Sequence, residues 1–496
     1  MSIRAAFYKL ELDWMKIVLF GPIFILFFFQ SISFLDPDFW WRMRVGTIIN
    51  TQGIPKTDPL SYSMSSFPYV DHSWLTDSFV ARIYPIVGYQ GLGLISALLA
   101  LICLGAVSYK KYNLISVLLV ASALFVSPRP FIISWLFSII LIRAILDKKL
   151  WQKCRWITPG LFCLWANLHG GFSLGLVIYL WFVISRVASY RKIDFVDVAL
   201  FTLSTLATLV NPYGPGLWRE VLATTTDSSL RFTISEWLPT VFSFNPAVVT
   251  LFVLSGVIVH RYRNKFGLFL TGLFIFLFLT GISSVRNVPF LALVAGLVIS
   301  DGLNFFQAEL GKDKISLARW KIARRFLLGG VITLFGWTVF SNFHSFQGLT
   351  EEKYYPTKAT AFLKTNLPDQ EIFSTYGWGG YLGWKLPEKK VFIDGRMPSW
   401  RRTKEVRGEV KDAFGEYQNI LYGKTDFEKI SDKFNIGYVL LPKQKGRSSW
   451  VADLEEKIAL LFGEKNPDFN FQKNLLANGW KIIYTDDLSE IYARSR

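Results

Sequence analysis

Long apolar runs separated by short polar stretches dominate the first two-thirds of the chain. Ile17–Phe29, Leu92–Val107 and Val288–Ile299 are apolar on every side, whereas a helix of a soluble protein keeps a polar face. Such runs have the length and composition of helices that cross a hydrocarbon core of roughly 30 Å. The pattern predicts spans over 16–35, 79–108, 112–127, 131–146, 156–168, 171–186, 195–211, 246–260, 266–283, 287–304 and 325–342, about eleven membrane helices in all. Several are shorter than the ~20 residues of a straight span, which fits tilted, broken or re-entrant segments.

Beyond residue 342 the pattern changes. Thr357–Thr365 has helical spacing, while Glu371–Ser374 and Lys390–Ile393 read as short strands. Asp426–Phe434 looks helical and leads into a strand at Ile436–Leu441. Lys481–Thr485 and Glu490–Ala493, split by Asp486-Asp487, read as a closing hairpin. Helices alternating with strands point to a small mixed sheet. The expected organisation is a transmembrane domain over 1–342, with a first outer loop at 36–78, followed by an extracytoplasmic α/β domain over 343–496. No internal repeat and no low-complexity tract is visible.

Charge sets the orientation. The formal net charge is +17, a value that would suggest nucleic acid in a soluble protein. Here the basic residues concentrate in alternate loops. Loops 1–15, 109–112, 147–155, 186–194, 260–265 and 305–325 hold 20 Lys and Arg in 64 residues, against 7 in 86 for 36–78, 128–130, 169–170, 212–245 and 284–287. Membrane proteins keep Lys and Arg in cytoplasmic loops, so nucleic-acid binding is not expected. The N-terminus is expected to be cytoplasmic. An odd number of crossings then places the C-terminal domain outside a plasma (inner) membrane that the chain crosses many times. The three cysteines, Cys103, Cys154 and Cys163, lie outside the α/β domain and form no disulfide framework or CxxC site. The first apolar run lacks a small-residue cleavage site and reads as a retained helix.

With this topology drawn, polar and special residues gather on one side. The outer loops carry Asp36-Pro-Asp-Phe-Trp-Trp41, Tyr69-Val-Asp-His72, Pro128-Arg-Pro130, Asn167-Leu-His-Gly-Gly171, Asn211-Pro-Tyr-Gly214, Glu236-Trp237 and Val285-Arg-Asn287. Ionisable residues at a membrane edge are costly and usually mark function, so these loops suggest one site at the outer membrane surface. Asp36 and Asp38 follow the first helix directly. One of them can act as general base toward a hydroxyl or amine, both can hold a divalent cation, or Asp38 can simply cap the next short helix. Asp71 and His72 are an acid–imidazole pair by sequence, although adjacent side chains usually diverge and Asp71 also suits a helix cap. Arg129 and Arg286 stand at helix ends with no acid close in sequence. A guanidinium there can bind a phosphate bidentately or snorkel to headgroups. His169 can bind substrate or metal, or serve a helix break; no HExxH pattern supports zinc. Trp378 and Tyr381, in Tyr376-Gly-Trp-Gly-Gly-Tyr-Leu-Gly-Trp384, suit either a sugar face or packing on the sheet or membrane belt. Asp394-Gly-Arg396 reads as a turn with a local ion pair.

The stretch Leu35-Asp-Pro-Asp-Phe-Trp-Trp-Arg-Met-Arg-Val-Gly46, then Gly53-Ile-Pro-Lys-Thr-Asp-Pro-Leu-Ser-Tyr62, then Asp71-His-Ser-Trp-Leu75, resembles the opening of bacterial membrane proteins of the glycosyltransferase-C superfamily. That group includes protein O-mannosyltransferase-like and aminoarabinose-transferase-like enzymes. Asn211-Pro-Tyr-Gly214, Tyr376-Gly-Trp-Gly-Gly-Tyr381 and Phe392-Ile-Asp-Gly-Arg396 add to the likeness. The shared feature is a long first extracytoplasmic loop with an acidic motif just after the first helix, the place that Asp36 and Asp38 occupy. The resemblance implies a transferase that moves a sugar from a polyprenyl-phosphate donor to a protein, lipid or glycan acceptor. Asp36 or Asp38 would take the acceptor proton, inversion would follow, and Arg286, with Arg129, would steady the leaving phosphate. A divalent cation, if used, would fall to Asp36 and Asp38. No Gly-rich phosphate loop is visible, which suits a lipid donor. The C-terminal domain is faintly similar to that of oligosaccharyltransferase subunits, yet Ser374-Thr-Tyr-Gly-Trp378 lacks their paired tryptophans and aspartate.

Two other classes compete. A transporter or flippase predicts ionisable residues near the bilayer midplane and paired broken helices. A non-catalytic envelope protein predicts that both aspartates are replaceable.

Overall fold

The computed structural model describes residues 20–33, 35–107, 113–243, 245–311, 313–345, 351–366, 369–443 and 470–494. The inner loops expected at 1–15 and 109–112, and the first residues of the span expected at 16–35, lie outside the described residues. The chain divides into two compact units. A helical unit comprises Met1–Phe34, Asp71–Thr76 and Ile83–Leu349. A sheet unit comprises Leu35–Val70, Asp77–Arg82 and Thr350–Arg496.

Among the described residues five helices are long and apolar enough to cross a membrane: Trp74–Val107, Phe172–Tyr190, Pro246–Ser283, Val285–Glu309 and Lys314–His344. A sixth arises if Phe20–Ser33 and Pro37–Gln52 form one bent span. Leu114–Ala123, Phe131–Leu146 and Phe195–Ala207 are shorter apolar helices. The 38-residue helix Pro246–Ser283 would be about 57 Å long if straight, nearly twice a hydrocarbon core. It breaks at Tyr262 and at Gly267, whose φ is 71°, within and beside the polar stretch that separates the two spans expected there. Asn245 caps this helix through Ala247 and Val248, and Pro246 follows at its first position, a combination that starts helices. Val285–Glu309 is central to the bundle, with 72% of its most apolar window buried, whereas Lys314–His344 buries only 6%.

The sheet unit is built on four strands, β1 (Glu371–Ser374), β2 (Ile436–Pro442), β3 (Trp480–Thr485) and β4 (Ser489–Arg494), in the order β1-β2-β4-β3. β1 runs parallel to β2, and β4 is antiparallel to both its neighbours. The closing hairpin and the helices Thr357–Thr365 and Phe427–Phe434 stand where the sequence pattern placed them. The strand expected at Lys390–Ile393 is reduced to bridges at Val391, which pairs with Ile372 on one side and Ser61 on the other. Val391 N–H donates to the Leu60 carbonyl at 2.9 Å, and Tyr62 N–H donates to the Val391 carbonyl at 3.0 Å. Residues 57–68 fold back on themselves through a Thr57–Pro68 bridge and continue the edge of the sheet.

The helix Pro37–Gln52 packs on the helix Tyr376–Lys385 and on residues 77–82. Gly46 makes the second contact possible, because a Cβ there would fall 2.1 Å from the Asp77 carbonyl oxygen. Arg42 clasps both carboxylate oxygens of buried Asp77 at 3.1 and 3.2 Å.

Candidate functional site

The acidic motif sits at a helix start. Pro37 has no N–H and a φ already set for the first helical position, so the cap falls on the residue before it. Asp36, 2% exposed, accepts the Asp38 N–H at 3.0 Å. The capping role considered for Asp38 therefore belongs to Asp36. Asp38 lies in the first turn, half-buried, and accepts Trp41 Nε1–H at 2.9 Å. Both carboxylates occupy the positive end of the helix dipole, which favours negative charge there.

A turn of the C-terminal segment is seated on Asp38. A Cβ at Gly395 would fall 2.0 Å from Asp38 Oδ1 and 3.0 Å from Trp41 Nε1, so only glycine allows this approach. Flanking Asp394 and Arg396 fix the turn. Arg396 donates to Asp394 Oδ2 at 2.7 Å and to Asp58 Oδ1 at 2.6 Å, and all three side chains are at most 2% exposed. The ion pair expected within Asp394-Gly-Arg396 is present, but it is a triad completed by Asp58 of the first loop. Burial alone would lower the Arg396 pKa, yet Asp394 and Asp58 hold it well above the usual arginine value. Tyr69 and Trp400 lie 5.3 Å from the guanidinium, a distance at which aromatic faces attract a cation. Asp58 also accepts the N–H groups of Leu60 and Ser61 at 3.1 and 3.0 Å. Sequence reading missed this role of Asp58; the signal was an Asp-Pro turn inside the first loop.

In the helical unit, two histidines distant in sequence meet. The His72 and His169 rings lie 5.8 Å apart, edge to face. His169 is 6% exposed in the break between the helices Thr158–Leu168 and Phe172–Tyr190. Its Nδ1 accepts the Gly171 N–H at 3.1 Å and lies 2.7 Å from Ser134 Oγ, which in turn accepts Trp165 Nε1–H at 2.8 Å. Nδ1 is thus an acceptor, and the proton of the neutral ring is on Nε2. Asp71, 2% exposed, accepts the Ser73 N–H at 2.9 Å at the start of the helix Trp74–Val107. Asn167 accepts Trp74 Nε1–H at 2.9 Å and donates to the Val210 carbonyl at 2.9 Å, which ties three predicted loops together.

The two arginines also converge. Arg129 forms an ion pair with Glu236, and the Arg286 guanidinium lies 5.0 Å from the Trp237 ring. Arg129 therefore has an acid partner that its sequence neighbourhood does not reveal. The short turn Ser235–Trp237 gathers both arginines. It is held by Ser284 Oγ, which donates to the Glu236 carbonyl at 3.0 Å, and by Val285 N–H, which donates to the Leu238 carbonyl at 3.0 Å. A phosphate at Arg129 would compete with Glu236 for the guanidinium.

Trp378 and Tyr381 lie on the helix Tyr376–Lys385, 8% and 2% exposed. Trp378 Nε1–H donates to the Tyr354 carbonyl at 3.1 Å. Tyr381 stacks on Tyr355 at 4.7 Å and meets Trp40 edge-on at 5.3 Å. Among the described residues no group of three or more His, Cys, Asp or Glu is arranged to hold a metal ion. Asp36 Oδ1 and Asp38 Oδ1 each accept a protein hydrogen bond.

No protein-family model matches the chain, and no curated protein matches it. Solved structures do. The crystal structure of the Archaeoglobus fulgidus oligosaccharyltransferase tethered to an acceptor peptide with an NVT sequon superposes with a TM-score of 0.58. The alignment covers 97% of this chain and 74% of that one at 12% identity. The chain has the oligosaccharyltransferase fold. The same archaeal enzyme, AglB, in complex with an inhibitory peptide and a dolichol-phosphate, gives a TM-score of 0.54 at 12% identity over 97% and 75% of the two chains. Its complex with Zn and sulfate gives 0.56 at 11% identity over 96% and 73%. Those structures have the glycosyltransferase-C fold, and at 11–12% identity the likeness is one of fold alone. In this chain, Ser374-Thr-Tyr-Gly-Trp378 runs from the end of β1 into the helix Tyr376–Lys385.

Proposed function

We propose that this chain is a membrane glycosyltransferase that moves a sugar from a polyprenyl-phosphate carrier to an acceptor on the extracytoplasmic side. The single observation that carries the reading is the Asp36-Pro37-Asp38 helix start, seated under Gly395 in a chain with the oligosaccharyltransferase fold. The dolichol-phosphate in one such structure supports a lipid-linked donor, and the tethered peptide in another supports a protein acceptor.

Asp38 is the base in this scheme. Asp36 is buried and its Oδ1 holds the helix start, whereas Asp38 is half-buried in the first turn. Asp38 takes the proton of an acceptor hydroxyl or amine as that atom attacks the anomeric carbon. The bond from carbon to phosphate oxygen breaks, the carrier phosphate leaves with the electron pair, and the configuration inverts. Arg286, with Arg129, steadies the phosphate charge as it develops, with Glu236 releasing Arg129 as the phosphate arrives. His169, oriented through Nδ1 by Ser134 and Gly171, contributes to substrate binding. His72, packed against it, and Asp71, at the helix start, shape the same loop cluster. No step runs through a metal ion.

The test is sugar transfer in membranes from labelled polyprenyl-phosphate sugars, comparing the wild type with Asp38→Asn and Asp36→Asn at matched expression. Loss of a positioned base lowers the rate about 10²–10⁴-fold, and this is expected for Asp38→Asn. Undiminished transfer in Asp38→Asn would overturn the assignment. Carrier movement across the bilayer without transfer would favour a flippase.

A further inference from the structure

The helix Lys314–His344 is longer than a membrane requires. Its 31 residues extend about 46 Å, against a hydrocarbon core of roughly 30 Å. Phe326–His344 contains no Asp, Glu, Lys or Arg and, at about 28 Å, fills the core by itself. The first turns, 314–325, therefore stand beyond the core. They carry Lys314, Arg319, Lys321, Arg324 and Arg325 and no acid. The headgroup region adds roughly 5–8 Å on each side, so Lys321, Ile322 and Arg325, within about 8 Å of Phe326 along the axis, lie at headgroup depth.

One face of these turns meets the bundle. Trp320 packs on Phe306 with ring centroids 4.6 Å apart, and half-buried Arg324 donates to Gln307 Oε1 at 3.4 Å. On the other face Lys321 and Arg325 are exposed at i and i+4, and Lys314 extends their stripe outward at one further heptad. Ile322 and Phe326, also at i and i+4, form the neighbouring stripe and are 53% and 78% exposed. The Lys321 and Arg325 side chains make no ion pair or hydrogen bond among the described residues. The two acids that precede them in the chain are engaged elsewhere. Asp313 caps the helix, accepting the Ile315 and Ser316 N–H groups at 3.2 Å each. Glu309 accepts from Arg261 at 3.0 Å and from Tyr262 and Lys265 at 2.9 Å each.

We infer that Lys321 and Arg325 bind the phosphate of an anionic phospholipid. Like charges at i and i+4 repel, and their Cβ atoms lie roughly 5–6 Å apart, close enough for one phosphate to bridge both. The general enrichment of Lys and Arg beside membrane helices accounts for cations anywhere in such a loop. It does not account for two unbalanced cations aligned at headgroup depth beside an apolar pair. A phospholipid satisfies both stripes, its phosphate on Lys321 and Arg325 and its glycerol and upper acyl chain on Ile322 and Phe326. A free phosphate or an acidic protein segment in water would leave the apolar pair uncovered. The site is independent of the transfer reaction.

The full chain is placed in phosphatidylcholine nanodiscs with a trace of phosphatidylglycerol, or of phosphatidylcholine, that is photoreactive at the top of its acyl chain. Label on residues 314–326 is quantified by mass spectrometry. Phosphatidylglycerol is expected to label this segment at least about fivefold more than phosphatidylcholine, which is what one cation near the headgroups contributes. Lys321→Gln with Arg325→Gln should bring the two lipids level and, because both side chains are exposed, leave the melting temperature unchanged. Lys148→Gln with Lys149→Gln removes two exposed cations of another basic loop that are adjacent in sequence and so do not face each other; it should leave the preference intact. Four results would each overturn the inference. They are equal labelling by the two lipids, a preference that survives Lys321→Gln with Arg325→Gln, an equal loss in both double variants, which would indicate general charge attraction, and competition by inorganic phosphate beyond that of chloride at the same ionic strength, which would indicate a free-anion site. No turnover is measured, so failure here leaves the transferase reading intact, and failure of transfer leaves this site intact.

Discussion

Two charge clusters, one in each unit, are built in opposite ways. In the helical unit, Arg155 and Arg186 share Asp194 and Asp197, with Arg155 at 3.3 and 3.1 Å and Arg186 at 3.2 Å from Asp194. Trp151 Nε1–H adds a bond to Asp197 at 3.1 Å. Charges balance, and every partner comes from a stretch of fewer than 50 residues. In the sheet unit, Arg396 is the one cation among the described residues that faces Asp58 and Asp394, and its bond to Asp58 spans 338 positions. The first cluster is redundant and local. The second has one cation for two carboxylates and joins segments that most of the chain separates. Redundancy protects the first; the second depends on a single guanidinium.

The largest effect should come from that dependence. Arg396→Met leaves two buried carboxylates facing each other and should cost about 3–5 kcal/mol of stability, read as an early thermal transition of the purified protein. Arg155→Met, with Arg186 still bridging both aspartates, should cost nearer ~1.5–3 kcal/mol, the worth of hydrogen bonds to charged groups. Equal losses would erase the contrast. Gly395→Ala sharpens it from the site side. Overpacking of this kind costs about 1–3 kcal/mol, and the displaced Asp38 should make transfer fall more steeply than melting temperature. A variant that melts early but transfers normally would separate the turn from the chemistry.

The smallest effect concerns Glu371 at the start of β1. Burial raises its pKa above 4.5, only partly opposed by Lys389 and Lys390, and its Oε2 has no hydrogen-bond partner among the described residues. A carboxyl with a raised folded-state pKa stabilises the fold below its unfolded value, and that contribution is lost as pH rises through the folded value. Glu371→Gln should therefore match wild type near pH 4 and melt slightly higher near pH 7, in thermal scans across that range. A variant less stable than wild type at neutral pH would reverse the sign.

What the sequence revealed follows the reach of each interaction. Strands and helices that rest on local spacing, such as Glu371–Ser374 and Thr357–Thr365, stand at their expected limits. Lys390–Ile393 suits a short strand, but the Asp394-Gly395 turn follows it at once and, among the described residues, the segment pairs through bridges at Val391. The cap expected at Asp38 falls on Asp36, because Pro37 takes the first helical position. The pairing of Arg129 with Glu236, of His72 with His169 and of Asp58 with Arg396 was not legible in the sequence, since each joins residues whose proximity depends on how the helices pack. Apolarity marks Val285–Glu309 and Lys314–His344 alike, although the most apolar window is 72% buried in one and 6% buried in the other.

The braid of residues 57–68 into the sheet edge sets a constraint on biosynthesis. Leu60 and Tyr62 bond to Val391, and Asp58 to Arg396, so the early segment has no partner when it first emerges. At synthesis rates of about 5–20 residues per second, the 338 positions that separate Asp58 from Arg396 take roughly 20–70 s to complete. Throughout that interval the edge-forming backbone of 57–68 must be kept from wrong pairings. A ribosome that stops before residue 391 releases a chain whose first loop cannot close, whatever the state of its membrane helices.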